Sequence, residues 1–399
     1  MSENLNLDLP VGELALMPLM GMENFTRKLD SYISSWRVER NSNIKNDNPL
    51  YKNYFKESYI NMPKLSRFGT GEAKCTLLES VRGVDAYLIV DVTNHSCTYK
   101  MFGEENRMSP DDHFQDLKRV IAAINGKAKR INVIMTFLYE SRQHKRTKRE
   151  SLDCSLMLHE LESMGVSNII TFDAHDPRVM NAIPLSSFDS ISCTYQFIQS
   201  LLNSKDDFII DSDHMMIISP DSGAMQRSIY LASVLGIDVG MFYKRRDYSV
   251  VIDGKNPIVA HEFLGSNVKG KDVIIVDDMI SSGDSLLETA KVLKDMQAKR
   301  VFAICTFGLF TNGFNKFDEA YEKGEIEGIL TTNSIYQKEE LFSKPWYISV
   351  DVTEYLARII DSLNHDASIS AYLDPNEKIH NFVKEYVERK INKIWINNV

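Results

Sequence analysis

The chain has 399 residues, 43% of them hydrophobic, with 46 basic and 55 acidic side chains and a formal net charge of −9. This length predicts two or three domains that each bury a core. The acidic balance argues against nucleic-acid binding by charge attraction, and no apolar run approaches the ~18 residues needed to cross a bilayer.

The N-terminus and the cysteines both predict a cytoplasmic protein. The first eight residues, Met-Ser-Glu-Asn-Leu-Asn-Leu-Asp, have no basic region and no apolar core, so they do not form a secretory signal. The five cysteines are odd in number and lack Cys-x-x-Cys spacing, which argues against a disulfide framework or a zinc site. We therefore expect reduced thiols, and neither a membrane nor a nucleic acid as a partner.

Apolar strands alternate with amphipathic helices in two blocks. In the first block the patterns predict strands at 14–17, 86–90, 131–135 and 168–172, with helices near 22–36, 111–125 and 151–164. In the second they predict strands at 215–219, 239–243, 273–276 and 301–306, with helices near 223–235 and 285–296. Strands separated by helices form βαβ units, so each block predicts an α/β domain with a mainly parallel sheet flanked by helices.

Three segments lie outside this alternation. Residues 39–57 are rich in Asn and Lys without an apolar period, which predicts an exposed inserted loop. Residues 184–193 are rich in Ser and Asp, and we place the domain boundary there. At 374–377, Asp-Pro-Asn-Glu has the pattern of a capping box with proline in the first turn, which predicts a helix to about Ile394.

The segment 273–285 has the most informative composition in the chain. A short apolar strand leads to Asp277 and Asp278, then to a loop with Ser281, Ser282, Gly283, Asp284 and Ser285, and then to a helix whose apolar residues share one face. A loop at the carboxyl end of a parallel strand, followed by a helix N-terminus, suits an anion, and the serines add hydroxyl donors. The two aspartates can accept hydrogen bonds from a vicinal diol, so we expect a ribose phosphate. The alternative is an ordinary strand–turn–helix unit in which Ser and Gly serve only as turn and cap residues.

Four further motifs follow the same order as in one known family. They are 67–72 (Arg-Phe-Gly-Thr-Gly-Glu) with 79–89, 140–150 (beginning Glu-Ser-Arg-Gln), 169–175 (ending Asp-Ala-His), and 219–224 (Ser-Pro-Asp-Ser-Gly-Ala) with 244–246 (Lys-Arg-Arg). Together with 277–285, which resembles the loop that binds phosphoribosyl diphosphate, they resemble the ribose-phosphate diphosphokinase family. The resemblance covers roughly 13–372. It implies two tandem phosphoribosyltransferase-like domains at 1–188 and 189–350, with C-terminal helices in 351–399 that pack back on the N-terminal domain.

The resemblance also implies a reaction and a role for each motif. The family transfers the β,γ-diphosphoryl group of Mg-ATP to the 1-hydroxyl of ribose 5-phosphate, giving AMP. The implied residues are Lys244 and Arg246 for catalysis; Phe68, Thr70, Gly71, Glu72, Arg142 and Gln143 for ATP; Asp221, Ser222, Gly223 and Ala224 for pyrophosphate; Asp277, Asp278, Ser281, Ser282, Gly283, Asp284 and Ser285 for ribose 5-phosphate; and His175 and Asp221 for Mg²⁺. In the family the 68–72 loop reaches a neighbouring subunit's nucleotide, so we expect a homo-oligomer, at least a dimer and by family expectation a hexamer.

Several residues depart from the family pattern. Thr70 replaces Asn or Asp, Ala224 replaces a second glycine, His144 follows Arg-Gln where an acid is common, and Ser285 replaces threonine. The segment 93–110 is longer than its family counterpart. Two alternatives to the active enzyme are therefore kept: a non-catalytic regulatory paralogue, and a salvage phosphoribosyltransferase. The first is expected to lose the catalytic Lys, Arg, His or Asp, all of which are present here, and the second needs only one such domain.

Overall fold

The computed structural model describes residues 9–41, 53–246 and 258–397, with the side chains of those residues except at 41, 244–246, 258–261 and 390–397. The chain divides into two units. The first consists of Met1–Ser192, Ser334–Tyr336 and Asp351–Asp374, and the second of Cys193–Asn333, Gln337–Val350 and Pro375–Val399. The chain therefore returns to the first unit twice after the second has begun.

The strands and helices alternate along most of the chain. The strands are β1 Glu13–Pro18, β2 Pro63–Arg67, β3 Ala73–Leu77, β4 Val84–Val90, β5 Thr98–Met101, β6 Glu104–Arg107, β7 Arg130–Met135, β8 Asn168–Phe172, β9 Ser187–Ile191, β10 Met215–Ser219, β11 Asp238–Arg246, β12 Ile258–Leu264, β13 Asp272–Ile280, β14 Arg300–Gly308, β15 Gly328–Thr332 and β16 Tyr347–Val350. The helices are α1 Glu23–Asn41, α2 Pro110–Ile124, α3 Asp153–Ser163, α4 Thr194–Ser204, α5 Met225–Leu235, α6 Asp284–Asp295, α7 Asn315–Glu322, α8 Thr353–Asn364, α9 Ser370–Leu373 and α10 Asn376–Asn397. Short 3₁₀ helices occur at Pro177–Ala182 and Glu339–Ser343.

The first unit is built on a parallel sheet in the order β1-β4-β7-β8-β9. Its interior strand β4 is buried at every residue, as expected when a parallel sheet is covered on both faces. Strands β2 with β3 and β5 with β6 form two separate antiparallel hairpins. Helix α2 begins behind a capping box in which the Ser109 and Asp112 side chains each accept a hydrogen bond from the other residue's backbone N–H.

Helix α8 belongs to this first unit and packs on α1. Arg37 on α1 donates to Asp361 Oδ1 at 3.0 Å and to Asn364 Oδ1 at 2.7 Å. Arg40 adds an ion pair to the same aspartate. Asn364 also donates to Asp85 at 2.9 Å, so buried polar contacts connect α1, α8 and β4.

The second unit is built on a seven-stranded sheet in the order β12-β11-β10-β13-β14-β15-β16. All pairs are parallel except β11 with β12. From β10 the chain passes through α5 to β11, on one side of the β10–β13 pair. From β13 it passes through α6 to β14, on the other side. The sheet therefore has a topological switch point between β10 and β13.

The core of the second unit contains the apolar stripe that the sequence predicts for α6. Leu286, Ala290 and Leu293 are buried against sheet residues and against the aromatic side chains of Phe317 and Trp346. Helix α10 packs on α4 and α5, with Ile379 fully buried. Because α8 and α9 join the first unit and α10 the second, region 351–399 does not return to the N-terminal domain as one piece.

The structure confirms the α/β class and all eight sequence-predicted strands, two of them with unchanged bounds at β8 and β10. It corrects one of the three other segments and adds a strand to another. The segment 39–57 is not a loop throughout, because α1 extends to Asn41 and Tyr54 is buried, while 42–52 lie outside the described residues. The segment 184–193 contains edge strand β9 as well as the division between units, which falls after Ser192.

No disulfide joins any two of the five cysteines. Cys97, Cys154, Cys193 and Cys305 are buried, as expected of core thiols, whereas Cys75 is only partly buried. Burial raises the pKa of the Cys154 thiol to about 12, so this group stays protonated and unreactive at neutral pH.

Candidate functional site

Asp277 and Asp278 lie inside β13 rather than after it. The sequence predicts that the strand ends at 276, but pairing with β14 continues to Ile280 opposite Gly308. Asp278 is buried, Asp277 is partly buried, and the Asp278 N–H donates to Asp277 Oδ1 at 2.9 Å. The two carboxylates are thus held on regular backbone at the carboxyl end of a central strand.

The Arg227 guanidinium lies beside this acidic pair. Its Nη1 lies 3.6 Å from Asp277 Oδ1 and 3.4 Å from Asp278 Oδ1. Burial, and then the neighbouring Asp278, raise the pKa of the Asp277 carboxyl above its usual range, and Arg227 opposes that rise. Sequence reasoning missed Arg227, since it is adjacent to the pair only because β10, which leads into α5, lies beside β13 in the sheet.

The loop from Ser281 to Ser285 turns tightly into α6. Gly283 has φ 84°, and a Cβ added there would lie 2.1 Å from Phe317 Cζ, so both conformation and packing require glycine. Asp284 is exposed and paired with Lys316 Nζ at 2.5 Å, which lowers the pKa of its carboxyl. This charge is therefore neutralised outside the loop. Ser281 and Ser282 are partly buried and Ser285 is exposed.

The loop from Asp221 to Ala224 leads from β10 into α5. Asp221 Oδ1 accepts hydrogen bonds from the backbone N–H of Gly223 at 2.8 Å and of Ala224 at 3.2 Å. The carboxylate thereby satisfies two backbone N–H groups that would otherwise be open to an anion. Ser222 and Gly223 are exposed, whereas Ala224 is buried.

These two loops follow neighbouring strands at the switch point of the second unit. The carboxyl ends of β10 and β13 face the same edge of the sheet, because the strands pair in parallel from Met215 to Ile218. Such a crevice is where open α/β sheets bind ligands. The acidic pair, the serine loop and the Asp221 loop are thus brought to one place.

Lys244 and Arg246 belong to the neighbouring strand. Strand β11 pairs in parallel with β10 as far as Met241 and then runs on to Arg246, past the end of β10. It pairs antiparallel with β12, with Lys244 opposite His261. The side chains of Lys244 and Arg246 lie outside the described part of the structure.

In the first unit, residues 68–72 form the turn between β2 and β3. The Phe68 N–H donates to the Glu72 carbonyl at 2.7 Å, and Thr70 Oγ1 donates to Glu72 Oε2 at 3.0 Å. Gly71 has φ 92°, and Phe68 is 52% exposed although it is aromatic. The residues expected to hold adenine therefore form one small, exposed turn.

The Arg-Gln segment lies beside His175 within the same unit. Arg142 is exposed, and Gln143 Nε2 donates to the Ser151 carbonyl at 2.7 Å. The His144 and His175 rings are 5.2 Å apart between centroids. Burial, followed by repulsion from His175, lowers the pKa of His144. The departure from the family pattern at His144 thus changes the surroundings of the expected metal-associated histidine.

A magnesium site of the expected kind needs few protein groups. In the described residues no cluster of three or more His, Cys, Asp or Glu side chains could hold a metal ion. Mg²⁺ is bound in proteins through one or two carboxylates plus substrate phosphates and waters, so a single carboxylate such as Asp221 suits it. Asp221 in the second unit offers a carboxylate of fixed orientation, and His175 in the first unit has an exposed imidazole. Among the described helices, none is long and apolar enough to span a membrane.

Two family models match consecutive parts of the sequence. Residues 51–165 match the N-terminal domain of ribose phosphate pyrophosphokinase, and residues 181–327 match the phosphoribosyl transferase domain. A ribose-phosphate pyrophosphokinase from Vibrio parahaemolyticus is 27% identical over 312 residues, which is 77% of this chain and 89% of that protein. One from Mycoplasma genitalium is 28% identical over 329 residues, 81% of this chain and 90% of that protein.

The solved structures agree on the fold. The crystal structure of phosphoribosylpyrophosphate synthetase from Mycobacterium smegmatis superposes with a TM-score of 0.68, at 19% identity, over 89% of this chain and all of that one. The matched domains and the length of the shared sequence carry the assignment beyond fold. The chain belongs to the ribose-phosphate pyrophosphokinase family.

Proposed function

We propose that this protein transfers the β,γ-diphosphoryl group of ATP, as one unit, to the 1-hydroxyl of ribose 5-phosphate, releasing AMP. The observation that carries the proposal is the acidic pair Asp277 and Asp278 with its serine loop, adjacent to the Asp221 loop at the switch point of the second unit. Ribose 5-phosphate requires groups that accept hydrogen bonds from its diol and a turn that binds its phosphate. The diphosphoryl group requires a second anion-binding turn at the same edge of the sheet. The family assignment supports the same reaction.

The ribose 5-phosphate contacts follow from hydrogen-bond chemistry. Asp277 and Asp278 accept hydrogen bonds from the ribose hydroxyls, and Arg227 keeps one oxygen of each close to its guanidinium. The hydroxyls of Ser281, Ser282 and Ser285, with the N–H groups at the start of α6, take the 5-phosphate. Asp284 does not repel it, because Lys316 pairs with that carboxylate.

The Asp221 loop binds the diphosphoryl group by giving up the internal hydrogen bonds to Asp221 Oδ1. The N–H groups of Gly223 and Ala224 leave Asp221 Oδ1 and donate to the diphosphate, which frees the carboxylate. Asp221 and His175 are each proposed as Mg²⁺ ligands, and the ion supplies neutralisation of phosphoryl oxygens when bound. Lys244 and Arg246 neutralise the charge that develops during transfer and are not nucleophiles.

ATP is held by residues of the first unit, with Phe68 stacking on the adenine ring. Thr70, Gly71 and Glu72 complete the base contacts, while Arg142 pairs with phosphate oxygens. Gln143 is bonded to the Ser151 carbonyl, so its proposed role is to position the Arg142 segment as well as to contact the nucleotide. We propose a homo-oligomer, at least a dimer, in which the exposed 68–72 turn serves a neighbouring subunit.

The test is the formation of AMP and phosphoribosyl diphosphate from ATP, ribose 5-phosphate and Mg²⁺, with Lys244→Ala and Arg245→Ala as a matched pair. Wild type should give the two products in equal amounts. Lys244→Ala should lose on the order of a hundredfold in kcat, the effect of removing one charge-stabilising group. Arg245→Ala should lose much less, because the family resemblance gives that residue no catalytic role.

Two results would contradict the proposal. Folded wild-type protein that makes neither product over a range of phosphate and metal concentrations would fit the regulatory paralogue instead. Consumption of phosphoribosyl diphosphate in the presence of a free purine or pyrimidine base would fit the salvage enzyme.

A further inference from the structure

The β5–β6 hairpin packs directly against the turn that carries Phe68. The Phe102 N–H at the hairpin tip donates to the Gly69 carbonyl at 2.7 Å. A Cβ built on Gly71 would lie 2.8 Å from Met101 Sδ, so the hairpin fills the space beside that glycine. At the base, the Arg67 guanidinium lies 4.6 Å from the centre of the Tyr99 ring. The two hairpins therefore contact each other both at the 68–72 turn and at the last residue of β2.

Phe102 has a backbone conformation that phenylalanine rarely adopts. It has φ 50° and Gly103 has φ 84°, the pair of positive angles found in two-residue hairpin turns that usually carry Asn-Gly or Asp-Gly. Bulky residues rarely adopt positive φ. Phe102 is 80% exposed, so contacts with the rest of this chain do not offset the cost of its backbone conformation. Strain held at an exposed aromatic residue is a sign of a binding role.

Phe68 and Phe102 are two exposed aromatic residues on adjoining hairpins. Phe68 is directly bonded to Gly69, whose carbonyl holds the Phe102 backbone, so the two side chains start from backbone that is hydrogen-bonded together. Both are more than half exposed. A purine offers two fused rings with apolar faces, and aromatic side chains bind such faces by stacking.

We propose that Phe102 contacts the same adenine as Phe68 and is a specificity-determining residue for the nucleotide. The proposal rests on the proposed function, since it extends the ATP-binding turn by a hairpin from the longer segment 93–110. Met101 and Phe102 restrain the 68–72 turn through Gly71 and Gly69, while the Phe102 ring enlarges the stacking surface. In this arrangement Thr70 loses importance for base selection, because recognition depends more on stacking than on one polar side chain.

The experiment measures ATP use and ATP binding in Phe102→Ala, Phe102→Trp and the control Leu78→Ala. Leu78 is also an exposed apolar residue of this unit, but it lies beyond the far end of β3 from the turn. Phe102→Ala should raise KM for ATP, and the dissociation constant measured by calorimetry, about tenfold, equivalent to about 1.4 kcal/mol. KM for ribose 5-phosphate and kcat should stay within about twofold, and Leu78→Ala should behave as wild type.

The tryptophan variant gives a signal that a purely structural role would not. In Phe102→Trp, ATP should quench the added fluorescence and ribose 5-phosphate should not, with ATP affinity restored to at least the wild-type value. An unchanged ATP dissociation constant in Phe102→Ala would overturn the inference. So would a smaller oligomer by sedimentation velocity with equal losses for both substrates, since the hairpin would then be a subunit contact. If the wild type binds ATP without turnover, the proposed function is contradicted. The ATP dissociation constants of wild type and Phe102→Ala then still decide the role of Phe102.

Discussion

Gly283 satisfies two separate restraints in the loop 281–285, which we propose binds ribose 5-phosphate. Its φ of 84° is unfavourable for any other residue, and its Cα faces the Phe317 ring so closely that a methyl group has no room. Gly270 in the same unit has a similar φ of 75°, but a Cβ added there would have nothing within 4 Å. A comparison of the two glycines therefore separates the cost of the positive φ from the cost of a close contact with Phe317.

We expect Gly283→Ala to destabilise the protein more than Gly270→Ala does. The backbone term costs about 1–2 kcal/mol at each site. At Gly283 the displacement of Phe317 adds about 1–3 kcal/mol, the usual range for overpacking. Urea unfolding of the two variants and the wild type measures the difference. Equal losses at both positions would show that Phe317 moves aside without cost.

Asp277 gives the unliganded protein a stability that depends on pH. Burial, and then Asp278, raise the pKa of its carboxyl above the ordinary value of about 4. The folded protein therefore keeps a proton that the unfolded chain has lost, so the stabilisation is complete below about pH 4 and is lost as pH rises through the raised pKa. Asp277→Asn cannot ionise. From about pH 5 to about pH 9, the free energy of unfolding of wild type should fall relative to that of the variant.

Asp284→Asn serves as the control in the same loop. The pKa of Asp284 is lowered by its hydrogen bond to Lys316, so its contribution is present above the ordinary carboxyl pKa and is lost only as the solution becomes more acidic. Its difference from wild type should stay flat across the neutral range. A flat profile for Asp277→Asn as well would mean that Asp277 is ionised throughout.

At the scale of elements, the sequence predicts the buried parallel strands well and the polar hairpins poorly. Strands such as β4 and β10 are continuous apolar runs, which periodicity detects. Strands β5 and β6, Thr-Tyr-Lys-Met and Glu-Glu-Asn-Arg, bury little and lack such a pattern. The composition of 277–285 indicates an anion-binding loop, but the places of Arg227 and Phe317 depend on which strands become neighbours. The assigned role of each site residue stays a prediction.

The ion pair between Arg37 and Asp361 holds α8 on α1. Arg37 is 1% exposed and Asp361 is 3% exposed, so removing one partner leaves the other charge buried. Asp361→Ala should lower the free energy of unfolding by about 3–5 kcal/mol. Glu354→Ala, which breaks the exposed pair with Arg358 on the same helix, should cost at most about 0.5 kcal/mol. Urea titration compares them, and similar losses would show that the buried pair does not anchor α8.

At the scale of the whole molecule, residues 351–399 are shared between the two structural units. Helices α8 and α9 complete the first unit and α10 completes the second. In α10, Ile379 is fully buried, the Phe382 ring meets Tyr195 of α4 edge to face at 6.0 Å, and Tyr230 on α5 donates to Asn376. Neither unit is a continuous stretch of sequence, so the boundary predicted at 184–193 marks only the first of several crossings of the chain between the units.

Deleting 375–399 should therefore weaken only the second unit. Loss of α10 exposes the apolar faces of α4 and α5 that it covers, whereas α1 and α8 keep their buried ion pair. Hydrogen exchange followed by mass spectrometry should show faster exchange in α4 and α5 and unchanged exchange in α1, β1 and β4. The matched variant Ile379→Ala, which removes one buried side chain, should give the same pattern with a smaller change, about 2–5 kcal/mol for the local opening. Faster exchange in α1 and α8 on deletion would contradict the assignment of α10 to the second unit, because the region would then stabilise both units together.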